Sequence, residues 1–431
     1  MYRMNAEQLI DAMNFLDEDL IREAEETRSR VIRRSSWHRW GALAACVAVA
    51  VFAGTQLMPK TAPQPPQSLE IPSSGASGPS QPASADLPMI TIQNTGAGGF
   101  GFEGYMAFDI DELESVNPWT KEVTVKFLPV YENPITYDSM LRPTGANERK
   151  MKALLLDTAQ KLGLDIQNTP ITDNTPSEEQ QKAITEKMAA VGEEVPEGYF
   201  DPTTLIMEGN GIKIEVDSSL TALIEFDPPV ELPEGYRFRF DATSAEMKKA
   251  ASWLSLEYSG LLSGMSKPLL DQGMADRNIY QERSYDVVFY DGSGSLEEQI
   301  ISYNFNRVAF YNNDDGKLFL ARVYTPDLSQ KLGDYPIITA DKATELLLAG
   351  NYATSCPYEM PGKEHIAKVE LLYRTSTYEK VWLPYYRFLV YLPEEKTVEE
   401  QYGMKSYGAY YVPAVEEKYI TSMPTYDGRF N

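Results

Sequence analysis

Residues 40–58 (WGALAACVAVAVFAGTQLM) hold no charged side chain, and the segment before them is dense in arginine. An apolar run of this length leaves a chain few options. At about 1.5 Å of rise per residue it makes a helix of roughly 28 Å, close to the hydrocarbon thickness of a bilayer. A single segment crosses lipid only as a helix, because a helix satisfies its own backbone polar groups. Arg28, Arg30, Arg33, Arg34 and Arg39 lie on the N-terminal side, with no acid between Arg28 and Arg39. Beyond the run, Lys60 is the last charge before Glu70. The positive-inside rule then predicts residues 1–39 in the cytoplasm and residues 59–431 outside the cell membrane. Trp37 and Trp40 suit the membrane interface.

Three other readings of this run are weaker. A cleaved signal peptide begins near the start of a chain and ends in a small-residue site. Here about forty mostly hydrophilic residues come first, and no A-x-A site follows. The sequence Leu43-Ala44-Ala45-Cys46 resembles a bacterial lipobox, but the apolar run continues past Cys46. A buried core helix fits neither the arginine flank nor the linker that follows.

The charge is as lopsided as the hydropathy. The chain carries 39 basic and 63 acidic side chains, a net charge of −24. Residues 1–40 are nearly balanced, so almost all of the excess sits beyond the span. An acidic exterior disfavours nucleic acid and anionic polymers as partners. Of the two cysteines, Cys46 lies in the span and Cys356 stands alone outside it. The exterior therefore holds together by packing rather than by an internal disulfide.

Residues 5–26 read as one amphipathic helix. Asn5 and Gln8 have capping-box spacing, and Leu9, Met13, Leu16 and Leu20 recur at steps of four, three and four. A helix this short gains stability by burying such a seam. These four residues are the candidate contacts for a cytoplasmic regulatory protein. Residues 59–88 contain eight prolines among many serines and alanines, and form a linker that is part polyproline II and part coil. The patch GAGGFGFEG at 96–104 reads as a flexible entry to the first strand, since neither its spacing nor a following helix suits a phosphate loop.

Beyond the linker, patterns of period two and period 3.6 alternate. Residues 121–130 read as a strand, 146–164 and 177–191 as helices. Residues 204–208 and 212–216 flank Gly209-Asn210-Gly211, a strong hairpin signal. Residues 220–226 add a strand. Thr243 and Glu246 form a capping box that opens a helix. Residues 285–290, 299–310 and 318–324 read as an antiparallel meander with turns at 291–292 and 312–316. A helix at 340–349 starts at Thr339 and stops at Gly350. Strands are predicted again at 368–373, 381–392 and 407–412. Strand runs broken by single helices give an α+β class with antiparallel sheets packed with a few helices. The expected organisation is a cytoplasmic head (1–39), a transmembrane helix (40–58), a linker (59–104) and two extracytoplasmic α+β domains (105–242 and 243–431).

No chemistry-bearing motif stands out. His365 is the sole exterior imidazole, nine residues after Cys356, and nothing near the pair marks an oxyanion hole. One cysteine and one histidine do not make a zinc site. The oxygen-rich stretches at 291–295 and 312–316 lack the twelve-residue calcium loop and sit where hairpin turns are expected. No cofactor is predicted. The remaining feature is tyrosine density, ten residues between Tyr373 and Tyr419. Tyrosine joins a large contact area to a polar tip and is enriched at recognition surfaces. Tyr385, Tyr407, Tyr410 and Tyr411 are the candidates for a face that binds an envelope peptide or glycan; the competing reading is a half-buried sheet.

The start, NAEQLIDAMNFLDEDLIREAEE followed by RRSSWHRWGALAACVAVAV, resembles the short cytoplasmic heads of single-span, anti-sigma-factor-like proteins of Firmicutes. The stretch YPIITADKATELLLAGNY, with AKVELLYR, VWLPYYRFLVYL and YGAYYVPAVEEKYI, is similar to extracytoplasmic regulatory domains of bacterial cell-wall two-component systems. The resemblances imply a non-enzymatic, single-pass protein that senses or binds at the envelope of a Gram-positive cell and signals to a cytoplasmic regulator. They carry over no site residue. The alternative expectation is a surface-anchored hydrolase acting on cell-wall glycan or peptide.

Overall fold

The computed structural model describes residues 87–92, 103–137, 143–190, 192–376 and 379–428. The predicted head helix, the span at 40–58 and most of the linker lie outside these residues. Among the described residues no helix is long and apolar enough to cross a membrane.

The chain opens with β1 (Gly104–Ala107), β2 (Phe127–Glu132) and a short ribbon of β3 (Thr136–Tyr137) and β4 (Pro143–Thr144). Helix α1 (Glu148–Lys161) leads to β5 (Ile171–Asp173), the exposed α2 (Glu178–Ala190), β6 (Thr204–Gly209), β7 (Ile212–Asp217) and β8 (Thr221–Val230). Next come α3 (Ser244–Glu257), β9 (Pro268–Asp271), β10 (Val287–Asp291), α4 (Leu296–Phe305), β11 (Arg307–Asn312), β12 (Leu318–Tyr324) and β13 (Lys331–Pro336). The last part holds α5 (Ala340–Leu348), β14 (Ala353–Thr354), β15 (Ile366–Tyr373), β16 (Val381–Trp382), β17 (Pro384–Tyr391), α6 (Lys396–Tyr402) and β18 (Lys405–Pro413). The α+β class with antiparallel sheets and few helices is as expected.

An eight-stranded antiparallel sheet runs β5-β6-β7-β8-β12-β11-β10-β9. The β6–β7 hairpin closes through Asn210 and Gly211, whose φ values of 55° and 75° are those of a type I′ turn. On one face, Leu205, Met207, Ile214, Val216, Ile224 and Phe289 bury against α1 and α3. α1 offers Met151, Leu155 and Ala159 at steps of four, and α3 offers Met247, Ala250, Ala251 and Leu254. The predicted capping box of α3 closes as a helix start should: Thr243 Oγ1 accepts from Glu246 N at 3.3 Å, and Thr243 N donates to Glu246 Oε2 at 2.8 Å.

Two sequence expectations give way here. The first is the boundary at 242/243. β8 pairs with β12 from Thr221↔Tyr324 to Val230↔Leu318, so one sheet spans that position. Likewise β1 pairs with β18, and β2 with β13 and β16, so residues 104–132 belong with the C-terminal strands. Long-range pairing joins segments that composition separates. The second is residues 299–310, read as one strand. Residues 296–305 are instead helix α4. Ser295 Oγ accepts from Glu298 N at 3.3 Å, and Ser295 N donates to Glu298 Oε2 at 2.7 Å, a capping box that overrides the β-rich composition.

The second sheet runs β1-β18-β17-β15, with β14 also pairing with β18. It is buried on both faces. Tyr386, Phe388, Val390, Tyr410 and Val412 pack to one side with α5 and α4, while Tyr385, Leu389, Tyr407, Ala409 and Tyr411 pack to the other. A three-stranded sheet, β13-β2-β16, adjoins it. Full burial explains why β17 and β18 read as unbroken apolar and aromatic runs rather than as alternation.

Candidate functional site

The expected tyrosine face is the first correction. Tyr385, Tyr407, Tyr410 and Tyr411 are all buried, and they divide between the two sides of the second sheet. Tyr411 donates to Glu103 Oε2 at 2.6 Å and Tyr410 to Tyr358 O at 2.9 Å. Four tyrosines packed in this way offer no surface to a ligand. The other candidates, Leu9, Met13, Leu16 and Leu20, lie outside the described residues.

Cys356 and His365 fare differently from one another. Cys356 is fully buried, and burial pushes its thiol up to about 11, so it stays protonated. His365 sits half-buried in a short 3-10 turn and stacks on Tyr391, ring centroids 5.7 Å apart. The oxygen-rich stretches are turns: Asp291 accepts from the N–H groups of Ser266, Lys267 and Ser293, and Asn313 from those of Asp315 and Lys317. Among the described residues no group of His, Cys, Asp and Glu is placed to hold a metal ion.

A concentration of polar and aromatic groups does exist, on the face of the large sheet turned away from α1 and α3. Strand register lays it out. Tyr290, Arg307, Tyr324 and Thr221 stand in one row across β10, β11, β12 and β8. Ala309, Arg322 and Leu223 form the next row. Tyr311 and Leu320 form the third. These positions alternate with the core residues Val308, Phe310, Ala321 and Val323, and period two sends them to the other side.

α4 covers this face at its β10 and β11 end. Tyr303 of α4 meets Tyr290 edge-on at 5.2 Å, and the Arg307 guanidinium lies over the Tyr303 ring at 5.2 Å. Arg307 Nη2 pairs with the buried Asp271 at 3.0 Å. At the β7 end Lys213 pairs with Glu215 at 2.5 Å and with Glu225 at 3.7 Å. Between these ends, Tyr311, Arg322 and Tyr324 are half-buried. Burial raises both phenols, Tyr324 to about 12, so both are neutral at ordinary pH. These three side chains keep part of their surface between the covered ends of the sheet.

The Arg322 guanidinium lies over the Tyr324 ring at 5.2 Å. Tyr324 packs against the core of the second sheet, so this stretch lies where the two large sheets meet. At its edge Asp217, whose carboxyl is raised by burial, directs Oδ1 at Ser219 N (2.9 Å), Ser219 Oγ (2.6 Å) and Thr221 N (3.0 Å). Those bonds hold the β7–β8 turn.

A second polar cluster locks the body together. Glu370 of β15 accepts from Arg387 Nη2 at 2.6 Å and Nε at 3.0 Å, pairs with Lys368 at 3.1 Å, and accepts from Ser115 Oγ. Glu370 is only 2% exposed. Burial alone would raise its carboxyl; Arg387 and Lys368 outweigh that and bring it down to about 2. This cluster fastens residues 113–115 to the second sheet, since Lys368 also donates to Leu113 O at 2.7 Å.

Sequence reasoning missed Arg307, Tyr311, Arg322 and Tyr324. The signal was present as strict alternation in RVAFY and LARVY, where charged and aromatic residues occupy the non-core phase.

Comparison with known proteins adds little. No protein-family model and no curated protein matches the chain. Among solved structures, it is similar to an uncharacterised protein of Eubacterium rectale at 12% identity, over 70% of this chain and 86% of that one, with a TM-score of 0.28.

Proposed function

We propose that this protein is a single-pass membrane-anchored binding module, regulatory at the cell envelope, with residues 59–431 outside the membrane and residues 1–39 meeting a cytoplasmic regulatory protein. The observation that carries the binding half is the stretch of the large sheet where Tyr311, Arg322 and Tyr324 keep part of their surface, with Arg322 stacked on Tyr324. Ligand sites commonly combine apolar walls with a few fixed polar groups of this kind. The arginine-flanked apolar run and the proline-rich linker support the tether.

Site-specific labelling tests the topology. Leu256 is 76% exposed, and the native Cys356 thiol is buried, so Leu256→Cys in a Cys46→Ser background gives one reactive position. A membrane-impermeant maleimide is expected to label that cysteine in intact cells. Labelling only after lysis overturns the outside placement.

A further inference from the structure

We propose that residues 87–92 form a releasable strap, a short unit that detaches while the rest of the outer body stays folded, and so lengthens the tether. The inference rests on the topology above for its place in the cell, and it concerns a part of the chain that the binding reading does not use.

The strap runs beside residues 419–422 and meets them in one parallel bridge, Ile90↔Ile420. Ile90 N donates to Tyr419 O at 2.7 Å, and Thr421 N donates to Ile90 O at 2.8 Å. The Tyr335 hydroxyl donates to Pro88 O at 2.7 Å, and Ser422 Oγ to Ile92 O at 2.8 Å. Period two turns Ile90 and Ile92 into the core, 1% and 9% exposed, and leaves Met89 and Thr91 outside. Leu87 packs over Gly333, where a side chain would collide with it.

Two features set this unit apart from its surroundings. Its sequence neighbours do little to fix a backbone: prolines and serines precede it, and the ten residues between Ile92 and Glu103 include four glycines. The groove that holds it, by contrast, is secured without it. The Tyr419 ring meets the Tyr335 ring edge-on at 5.5 Å, Glu416 N donates to Pro336 O at 3.1 Å, and Tyr426 N donates to Gly350 O at 2.9 Å. On the far side, Glu103 is fixed to the body through Ser355 Oγ at 3.0 Å. Opening the strap therefore gives up two buried isoleucines and one bridge and leaves the groove formed. Local openings of this kind cost less than unfolding the whole. The freed chain from Leu87 to Glu103 reaches up to about 55 Å when extended. Leu87 is where the tether meets the body, so a pull from the membrane acts on the strap first, and the longer open form is the one that a pull favours.

Thermolysin cuts on the N-terminal side of isoleucine in extended, unpaired chain, so fragments that begin at Ile90 or Ile92 report an open strap. The full-length chain in nanodiscs, carrying Cys46→Ser, is expected to give such fragments while residues 103–428 stay intact. The Thr91 and Thr421 hydroxyls lie 2.8 Å apart, so Thr91→Cys with Thr421→Cys locks the strap when oxidised. The oxidised pair is expected to slow those cuts at least about tenfold against the Thr91→Cys single variant. Tyr335→Phe, which removes one hydrogen bond to the strap, is expected to speed them about fivefold. Fragments that appear only as the whole body is digested overturn the proposal, as do equal rates for the oxidised pair and the single variant. The assay does not depend on which side of a cell membrane the body faces, so its failure leaves the labelling test of the topology standing.

Discussion

Glu370→Gln is the substitution whose consequence follows most directly from the structure. The change keeps the side-chain volume and removes one charge from a group that is 2% exposed. Arg387 and Lys368 then remain beside it without their counter-charge, and Ser115 loses a charged acceptor. Breaking one side of a buried ion pair costs about 3–5 kcal/mol. The proton linkage gives a similar size. A carboxyl that titrates at about 2 when folded and near its ordinary 4.5 when unfolded contributes about 3 kcal/mol at neutral pH. The sign is that of a depressed acid. The contribution is complete above the unfolded pKa and disappears as pH falls through about 4.5 towards about 2. For a folded body of this size the loss lowers the melting temperature by roughly 4–7 °C at pH 7. Calorimetric melts of wild type and variant from pH 7 down to the acid limit of reversibility measure both effects. The two curves are expected to converge below pH 4.5. A loss under about 1 kcal/mol at pH 7, or a gap that does not narrow with acid, refutes the account of Glu370 as the charge that holds Arg387 and Lys368.

Three further outcomes are expected. In a Cys46→Ser background the native protein resists thiol reagents at pH 8, because Cys356 is buried and only about one thiol in a thousand is ionised; urea exposes it, and fast native labelling counts against the buried placement. Gly211→Ala destabilises by about 1–3 kcal/mol in chemical denaturation, since the residue has a φ of +75° and an added Cβ would meet Asp227 O at 2.7 Å. Ser295→Ala lowers stability by about 1 kcal/mol by removing the cap of α4, while Ser295→Asp keeps most of it.

The sequence made local structure readable wherever a backbone rule acts within a few residues. The β6–β7 hairpin followed from Asn210-Gly211, α3 from Thr243 and Glu246, and α5 from Thr339 and the stop at Gly350, which has a φ of +83°. The same rule was available for α4 through Ser295 and Glu298, but Ile300, Ile301, Tyr303 and Phe305 outweighed it as apparent strand formers. In the structure the buried side chains Ile300, Tyr303 and Asn304 recur at helical steps. What local pattern does not encode is which distant strand becomes a neighbour. The pairings β8 with β12 and β1 with β18 bridge about a hundred and three hundred residues, and no composition shift announces them.

The site residues show the same limit in another form. Tyrosine density drew attention to β17 and β18, where the rings fill two cores because the sheet is covered on both sides. Tyr311 and Tyr324, which keep part of their surface, lie in a meander of ordinary composition. Exposure is a property of layers, and layers follow from topology. A period-two reading of residues 307–311 and 320–324 places Arg307, Tyr311, Arg322 and Tyr324 on one face, yet only the position of α4 shows that this face is covered at its β10 and β11 end.

On the proposed topology, the outer body reaches the membrane only through the proline- and serine-rich segment at 59–88. The coil that this composition predicts would have a root-mean-square extension of about 30 Å and would transmit neither torque nor a piston stroke. On that proposal a ligand bound to the outer body would stabilise it by an amount set by concentration over affinity, and that free energy would stay in the outer body unless the tether could carry it inward. Two changes pass through a flexible tether. One is its cleavage, which the outer body can expose or shield. The other is the local concentration of a second span, which rises when two outer bodies associate. A seam of Leu9, Met13, Leu16 and Leu20 suits the second route, because a helix too short to stand alone folds when a partner copy or a regulator is brought within reach. Signalling on the proposed topology would therefore call for a change in association or integrity rather than a change in shape.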